Sequence, residues 1–380
     1  MRRSRIAIDG FLLSVPRGIG NFLAAYLREL ANLAHIYDVI VYVRAGSAVR
    51  PTSPSDAIVY RTLPAAPYPI WENVLLPAAC IRDRITLLHS PGNTGPFVVP
   101  LGTSRITTVH DLISFESTDN VGTPGNVSQW LQRLYYRTLT PRAARLSKRV
   151  LTDSSYARTD IVDKLKIDPS LIDVIPLATD RALVADAECD AAILRELDIV
   201  PPYVFALGAA DPRKNTAFLI RAFRRAKSRD ARVGSLVVAG LTDRYRADLQ
   251  DSMSEISTAS RDVRLLGFVD AAALASIYRS ADVFVYPSLA EGFGLPILEA
   301  MAHGTAVIAS TATSIPEVAG DAALLIDPRD ESALCEALLR FATDAPLRSA
   351  YRVRGRERVR AFSWQRTAEM TLEAYRRAIG

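Results

Sequence analysis

Two glutamates, Glu291 and Glu299, stand eight positions apart in the segment YPSLAEGFGLPILEAMAHGTAVIAS, residues 286–310. Gly-Phe-Gly-Leu-Pro lies between them, after a predicted strand, DVFVYPS, and before a predicted helix. Pro296 suits the first turn of that helix. In open α/β sheets, ligands lie beyond the carboxyl ends of the strands, so both carboxylates can face one cleft. The spacing alone has little meaning, because about one such pair arises by chance in a chain of this length.

A basic pair, Arg213 and Lys214, lies in the segment LGAADPRKNTAFLIRAF, which includes the end of the first predicted strand of the second half. The pair precedes a predicted helix with Asn215 as its expected N-cap residue. Two cations beside a helix N-terminus form a suitable site for a diphosphate. The alternative interpretation of the dipeptide is a solvated basic turn that binds no ligand.

Gly18 and Gly20 lie between the first predicted strand, RIAIDG, and a helix expected to begin at Asn21. Glycine leaves no side chain in the way, so phosphate oxygens can approach the backbone amides of such a turn. The same pattern also occurs as a plain structural turn. A nicotinamide site is disfavoured, because the second predicted strand ends in Arg44 and not in an acidic residue that would bind ribose.

Two histidines, His89 and His110, end predicted strands of the first half. Each is either a residue of the binding cleft or a structural turn residue, and the sequence pattern leaves both interpretations open. His303 has a different setting, because it directly precedes a glycine that ends the predicted helix after Glu291. We expect His303 to be structural.

Short apolar strands alternate with helical patterns along the chain, which is typical of parallel sheets built from β-α-β units. The pattern predicts an α/β protein with two Rossmann-like domains facing each other across a cleft. We place the first domain at 1–178, a linker at 179–200 and the second domain at 201–362. The segment 363–380 forms a C-terminal helix whose apolar face should pack back on the first domain.

The segment EGFGLPILEAMAHGTAVIAS, with GAADPRKN before it and SIPEVAGDAALLIDP after it, resembles the donor-binding half of retaining glycosyltransferases of family four. TVHDLISF and the GIG loop resemble parts of the acceptor-side half of that family. The resemblance covers most of the chain and is stronger after residue 200. It implies the glycosyltransferase B-type fold, with a nucleotide sugar bound mainly to the second domain.

The resemblance also implies a role for each matching residue. Glu299 binds the ribose hydroxyls, Glu291 contacts the transferred sugar and His110 lies near the reacting centre. The implied catalytic residues are Glu291, His110, Lys214 and Arg213. The implied donor-binding residues are Gly18, Gly20, Arg213, Lys214, Glu291, Gly292, Phe293, Gly294, Leu295 and Glu299.

Cleavage of a sugar–diphosphate bond places negative charge on the leaving phosphate, which fixed cations can stabilise. Metal-dependent transferases often hold a divalent ion with an Asp-x-Asp element, and no such element occurs in this sequence. Neutralisation by Arg213, Lys214 and helix amides predicts a metal-independent reaction with no cofactor. The retaining outcome is implied by the family resemblance.

Composition and charge describe an ordinary globular chain: 49% of the residues are hydrophobic and the net charge is +5. That charge is compatible with anionic small molecules or a membrane surface and too small to indicate nucleic acid. Three widely spaced cysteines fit a reducing compartment. We expect a soluble cytoplasmic protein, since no segment approaches the roughly 20 apolar residues of a membrane span.

The segment 127–150 contains six basic residues and no acidic residue. Its apolar side chains fall on one helical face, formed by Val127, Trp130, Leu131, Leu134 and Tyr135. One interpretation is an interfacial helix on the anionic cytoplasmic leaflet, where the acceptor would be a polyprenol-linked saccharide. The other is an ordinary amphipathic helix whose apolar face joins the core.

The expected function is transfer of a hexose, mannose by general likeness, from a nucleotide diphosphate sugar to a glycan or lipid-linked saccharide. A sugar-nucleotide epimerase of similar architecture is the alternative enzyme. A non-catalytic, two-lobed sugar-binding protein is a further alternative. It would need an export signal, and Asp9 interrupts the apolar run that could form one.

Overall fold

A computed structural model describes residues 3–14, 19–33, 36–47, 58–116, 127–180, 186–254 and 262–380. The chain forms two compact units. The first comprises Met1–Phe115, Pro124–Ala178 and Phe362–Gly380, and Thr179–Ala361 belongs to the second. Each unit is built on one parallel sheet with helices packed against it.

The sheet of the first unit has the strand order β3-β2-β1-β4-β5-β6-β7. Its strands are β1 (Arg5–Asp9), β2 (Asp38–Arg44), β3 (Ile58–Leu63), β4 (Leu87–Ser90), β5 (Ser104–Thr108), β6 (Arg149–Thr152) and β7 (Ile172–Val174). The order reverses between β1 and β4. Loops that follow these two strands therefore diverge and leave room for a ligand at the carboxyl edge.

The sheet of the second unit has the order β10-β9-β8-β11-β12-β13. Its strands are β8 (Tyr203–Leu207), β9 (Ser235–Ala239), β10 (Val263–Leu265), β11 (Val283–Tyr286), β12 (Ala306–Ser310) and β13 (Ala323–Ile326). Here the order reverses between β8 and β11, which pair directly. The loops after β8 and β11 thus begin side by side, where such sheets bind ligands.

Helices cover the sheets in both units. In chain order they are α1 (Ile19–Leu33), α2 (Tyr68–Ile70), α3 (Leu76–Asp83), α4 (Val127–Leu146), α5 (Ser155–Leu165), α6 (Ala187–Glu196), α7 (Thr216–Arg229), α8 (Asp243–Ser254), α9 (Ala271–Ser280), α10 (Leu295–Ala302), α11 (Ile315–Ala319), α12 (Glu331–Thr343), α13 (Ala345–Val359) and α14 (Trp364–Ile379). A π-helical turn, Trp71–Leu75, joins α2 to α3.

Helix α7 shows how the sequence pattern produces these layers. Phe218, Leu219, Ala222, Phe223 and Ala226 recur at helical spacing on one side and are all buried. Together with side chains of the second sheet they form one hydrophobic cluster. Basic residues occupy the exposed side of the helix.

The sequence predicts a linker at 179–200, and the structure describes residues 179–180 and 186–200 of this segment. It contains α6, which belongs to the second unit and packs against α9. Asp186 caps α6 by accepting hydrogen bonds from two amides in its first turn. Asp190 is paired with Arg279 of α9, with 2.9 Å between Arg279 Nε and the carboxylate. The segment lacks a strong apolar pattern because polar contacts fix much of it.

Helix α14 is part of the first unit, where it packs against α1. Ala368, Leu372 and Tyr375 of its predicted apolar face are buried. Thr367 adds a hydrogen bond of 2.7 Å from its hydroxyl to the carbonyl of Pro176. Helices α1 and α14 thus contribute to the same core, although they lie far apart in the sequence.

Candidate active site

Lys214 and Glu291 meet at the carboxyl edge of the second sheet. Lys214 ends the short 3-10 turn after β8, and Glu291 lies in the loop after β11. The distance from Lys214 Nζ to Glu291 Oε1 is 2.7 Å, and the same ammonium group donates to the Tyr286 hydroxyl at 3.1 Å. Burial favours the neutral amine, but Tyr286 and Glu291 together raise the pKa of Lys214 well above its usual value. The edge therefore carries a fixed positive charge.

Arg213 is oriented by its own turn. Its guanidinium group donates to Asp211, with 2.6 Å between Nη2 and Oδ2, and its backbone amide donates to the same carboxylate at 3.0 Å. The carbonyl of Arg213 accepts a hydrogen bond of 2.8 Å from the amide of Leu289. This last bond joins the loops after β8 and β11, so both cations and Glu291 stand on one connected framework.

Asn215 occupies the N-cap position of α7, but its side chain does not cap the helix as expected. The side-chain amide donates to the carbonyls of Pro287 and Pro328 instead, at 3.2 and 2.8 Å. The residue has a positive φ of 56°, a conformation that asparagine tolerates better than most residues. Asn215 thus holds the loop after β11 against the loop after β8.

Glu299 lies in α10, the helix that follows the Glu291 loop. Gly294 caps this helix with a φ of 115°, which a side chain would strain, so the chain can turn sharply from loop to helix. The Tyr278 hydroxyl donates to Glu299 at 3.2 Å. Burial raises the pKa of Glu299, while the hydrogen bond from Tyr278 lowers it. The other predicted donor residues here, Gly292, Phe293 and Leu295, form the connection between the two carboxylates.

His110 lies in the first unit, just after β5, with 9% of its surface exposed. Its Nδ1 is 2.7 Å from the carboxylate of Asp153 and its Nε2 is 2.9 Å from the carbonyl of Pro91. The Asp153 carboxylate and the Pro91 carbonyl can both accept, so this setting favours the doubly protonated, positively charged ring. Burial opposes this charge, but Asp153 raises the pKa of His110 above its usual value.

The two glycines of the first loop differ in what can be described. Gly20 is buried in the first turn of α1, which begins at Ile19 and not at Asn21 as expected. Gly18 lies outside the described residues. Since Gly20 is already helical, its amide belongs to the N-terminal turn, where backbone N–H groups are available to an anion.

Comparison with known proteins decides the family. Residues 201–344 match the family model described as "Glycosyl transferases group 1", and residues 16–183 match the one described as "Glycosyltransferase Family 4". O-antigen chain mannosyltransferase B of Escherichia coli is 30% identical over 303 residues, which are 79% of this chain and 76% of that protein. The chain belongs to glycosyltransferase family 4.

Two further similarities agree with the family 4 assignment. The MMP α-(1→4)-mannosyltransferase of Mycolicibacterium hassiacum is 33% identical over 295 residues, covering 74% of this chain and 67% of that protein. Sucrose-phosphate synthase from Thermosynechococcus elongatus has a TM-score of 0.73 over 98% of both chains, at 22% identity. The predicted family and the predicted B-type α/β fold are confirmed.

Some residues of this glycosyltransferase that orient the predicted site residues could not be predicted from the sequence pattern. Asp211, Tyr278 and Tyr286 contact the basic pair or a predicted glutamate, and none belongs to the residues singled out from the sequence. Tyr286 ends the strand before Glu291 and Asp211 precedes Arg213 by two positions, so proximity in the chain was an available signal. Tyr278 comes from α9, and nothing in the sequence marks it.

His89 has a structural setting in the glycosyltransferase. It is 1% exposed, and its Nδ1 and Nε2 are hydrogen-bonded to the hydroxyls of Tyr375 and Thr108 at 2.7 and 2.8 Å. Burial lowers the pKa of His89 to about 3, so the imidazole is neutral. His303, expected to be structural, stacks on the ring of Tyr278 with 5.7 Å between ring centres.

The apolar face of α4 does not join the core of the glycosyltransferase. Val127, Trp130, Leu131 and Leu134 are between 48% and 73% exposed. Tyr135 alone among the predicted face turns inward, where its hydroxyl donates to the buried carboxylate of Glu72. The expectation that this predicted face joins the core is therefore wrong, whereas Leu139, Ala143 and Ala144 further along α4 are buried.

Proposed function

We propose that this enzyme transfers a hexose, mannose in the first instance, from a nucleoside diphosphate sugar to a saccharide acceptor with retention of anomeric configuration. The contact between Lys214 and Glu291 at the point where the second sheet reverses its order is the observation that carries the proposal. It supplies a cation for the diphosphate and a carboxylate for the sugar side by side. The two relatives described above are both mannosyltransferases, which supports mannose as the transferred sugar.

The proposed reaction needs no protein nucleophile, because the enzyme acts by stabilising the charge on the leaving group. As the sugar–phosphate bond breaks, negative charge grows on the diphosphate, and Lys214 and Arg213 stabilise it by about 3 kcal/mol each. The departing phosphate takes the proton of the acceptor hydroxyl, which attacks the same face of the sugar, so the configuration is retained. His110, whose pKa Asp153 raises, is assigned to the reacting centre, where its protonated form would add positive charge.

Donor recognition is assigned to the remaining predicted residues. Glu299, held by Tyr278, accepts hydrogen bonds from the ribose hydroxyls. The predicted glycines Gly18, Gly20, Gly292 and Gly294 are assigned to donor binding through backbone amides, since glycine carries no side chain that would block an amide. The arrangement is metal-independent, since Lys214 and Arg213 already supply the positive charge that a divalent ion would bring.

Binding and product analysis test this proposal. Nucleoside diphosphates and nucleotide sugars, GDP-mannose and UDP-hexoses among them, are screened for a rise in melting temperature, which ligand binding to the native state produces. We expect one diphosphate to stabilise the enzyme and its sugar to be transferred with retained configuration, seen by NMR, in the presence of EDTA. An inverted product, loss of activity in EDTA, or no stabilisation by any nucleotide would overturn the corresponding part.

The acceptor is proposed to be lipid-linked and reached at an anionic membrane surface on the cytoplasmic side. Helix α4 presents exposed Trp130, Leu131 and Leu134 among arginines, a composition that favours the membrane interface. A second exposed apolar segment contains Phe97 and Val98. Asn73 joins it to α4, because its side chain is hydrogen-bonded to the Tyr135 hydroxyl at 3.2 Å and to the amide of Phe97 at 2.8 Å. None of the described helices has the length and apolarity required to cross a bilayer.

Flotation with liposomes tests the membrane contact. Wild-type enzyme should float with vesicles of phosphatidylglycerol and phosphatidylcholine at low salt, and flotation should weaken as salt screens the charges. The double variant Trp130→Ser/Leu134→Ser should stay in the bottom fraction of the gradient. Val353→Ser, which removes an equally exposed apolar side chain from α13, is the matched control. Absence of wild-type flotation, or equal flotation of the double variant, would remove the membrane proposal and leave the transfer reaction standing.

A further inference from the structure

The short loop after β12 holds the loop that carries Glu291. Thr313 accepts a hydrogen bond of 2.9 Å at its Oγ1 from the amide of Glu291. Its neighbour Ser314 donates from Oγ to the carbonyls of Glu291 and Phe293, at 3.0 and 2.9 Å. Both backbone groups of Glu291 are therefore fixed by side chains of two consecutive residues in another loop.

Thr313 is held in a conformation that threonine avoids. Its φ is +51°, in the left-handed region, where the branched Cβ of threonine clashes with the backbone. Glycine would adopt this conformation without strain. A strained residue is retained only where the surrounding structure requires it, and such residues cluster at functional sites. The feature that a glycine could not supply here is the hydroxyl that receives the Glu291 amide.

Ser314 shows the same use of a hydroxyl for another loop. It stands at the N-cap position of α11, where serine ordinarily accepts a bond from a helix amide, but it makes no such bond. Its hydroxyl is fully buried and directed to the Glu291 loop. The helix is anchored instead at its other end by Arg358, which donates to the carbonyls of Val318 and Glu317 at 2.9 and 2.6 Å.

We propose that Thr313 and Ser314 are positioning residues that set where the Glu291 carboxylate stands. Because the amide and carbonyl of Glu291 are both fixed, the carboxylate meets Lys214 in one geometry, and the transferred sugar is presented to the leaving-group cations in one orientation. The proposal rests on the proposed role of Glu291. A misplacement of about 1 Å at a reacting centre is enough to lower turnover about 100-fold.

Three variants at one position separate positioning from packing. Thr313→Gly removes both strain and hydroxyl, Thr313→Val keeps the shape without the acceptor, and Thr313→Ser keeps the hydroxyl. We expect kcat to fall about 10- to 100-fold in the glycine and valine variants, with donor KM changed less than about threefold, and to recover in the serine variant. The melting temperature of Thr313→Gly should be no lower than that of Thr313→Ser, since strain is relieved. Ser314→Ala should behave like Thr313→Val.

Ser332→Ala is the matched control, because it deletes a serine hydroxyl that is hydrogen-bonded to Arg225 elsewhere in the same unit. It should change neither kcat nor the melting temperature appreciably. Equal turnover of Thr313→Gly and wild type would overturn the proposal. So would a fall in kcat that simply follows a fall in melting temperature across all variants.

Amide hydrogen exchange gives a readout that does not depend on catalysis. The Glu291 amide should exchange faster in Thr313→Gly and Thr313→Val than in wild type, Thr313→Ser and Ser332→Ala. Unchanged exchange in every variant would overturn the loop contact itself. If the Glu291 amide exchanges faster in the variants but the wild-type protein transfers no sugar, the loop contact is confirmed and the proposed function is rejected. Failure of the positioning proposal and failure of the proposed function therefore give different results.

Discussion

Lys214 and Glu299 are single residues whose removal should affect different steps. Lys214→Ala deletes the cation beside the leaving phosphate and leaves Glu291 without its partner, so kcat should fall about 100- to 1000-fold. Glu299→Ala deletes acceptors for the ribose, so donor affinity should fall by about 1.5–3 kcal/mol with a smaller change in kcat. Steady-state kinetics with varied donor measure both. Lys227→Ala, a lysine on α7, is the control.

The opposite pattern would contradict the residue assignments. If Lys214→Ala raised only the donor KM, the ammonium group would bind ground state and transition state equally and would not assist bond cleavage. If Glu299→Ala lowered kcat alone, the carboxylate would act at the reacting centre and not at the ribose. Lys227→Ala must leave both constants near wild type for either conclusion to hold.

At this scale the sequence identified residues that carry charge and missed those that orient them. Glu291 and Lys214 could be predicted because a Gly-rich loop and a basic pair each follow an apolar strand, and parallel strands bring such loops to one edge. Tyr278 could not, because its hydroxyl reaches Glu299 only through the packing of α9 against α10. The strain at Thr313 is a backbone property that residue type alone would argue against.

Among the elements, α14 is held on the first unit in part by one buried hydroxyl, that of Tyr375. The Tyr375 hydroxyl is hydrogen-bonded to His89 at 2.7 Å and to Tyr26 of α1 at 2.8 Å. Tyr375→Phe removes both bonds and leaves the buried Nδ1 of His89 without this partner, which should lower the free energy of unfolding by about 1–3 kcal/mol. Tyr26→Phe keeps the bond to His89 and should cost less. Urea denaturation of both variants measures the difference, and equal losses would contradict the order.

The periodicity of apolar residues predicts whether a segment is a strand or a helix, but it does not predict which other elements pack on that segment. The predicted strands RIAIDG and DVFVYPS are present as β1 and β11, since buried parallel strands read as continuous apolar runs. Strands β3 and β7 of the first unit give a weaker apolar signal, because each lies at a sheet edge and is only partly buried. For α4, the apolar stripe was evident, but periodicity cannot say whether a stripe faces the core or solvent.

For the whole molecule, the buried titratable groups oppose one another in setting stability against pH. The neutral, buried His89 has a pKa lowered to about 3, so its contribution is lost as pH falls below about 6.5, where the unfolded chain takes up a proton. Asp9 at the end of β1 acts in the other direction. Burial raises its pKa to about 7, although the Phe11 amide and the Trp71 ring donate to it.

Asp9→Asn should therefore stabilise the enzyme more at high pH than at low pH. In the wild type the folded carboxyl group is protonated below about pH 7 and the unfolded one only below about pH 4, so stability falls as pH rises between these values. Asparagine can still accept from Phe11 and Trp71 and never ionises.

The difference in unfolding free energy between variant and wild type should grow from pH 4 to pH 7, by about 4 kcal/mol at most, and stay constant above pH 8. A difference that is the same at pH 5 and pH 8 would mean that Asp9 is ionised throughout, with its charge stabilised by the two donors alone.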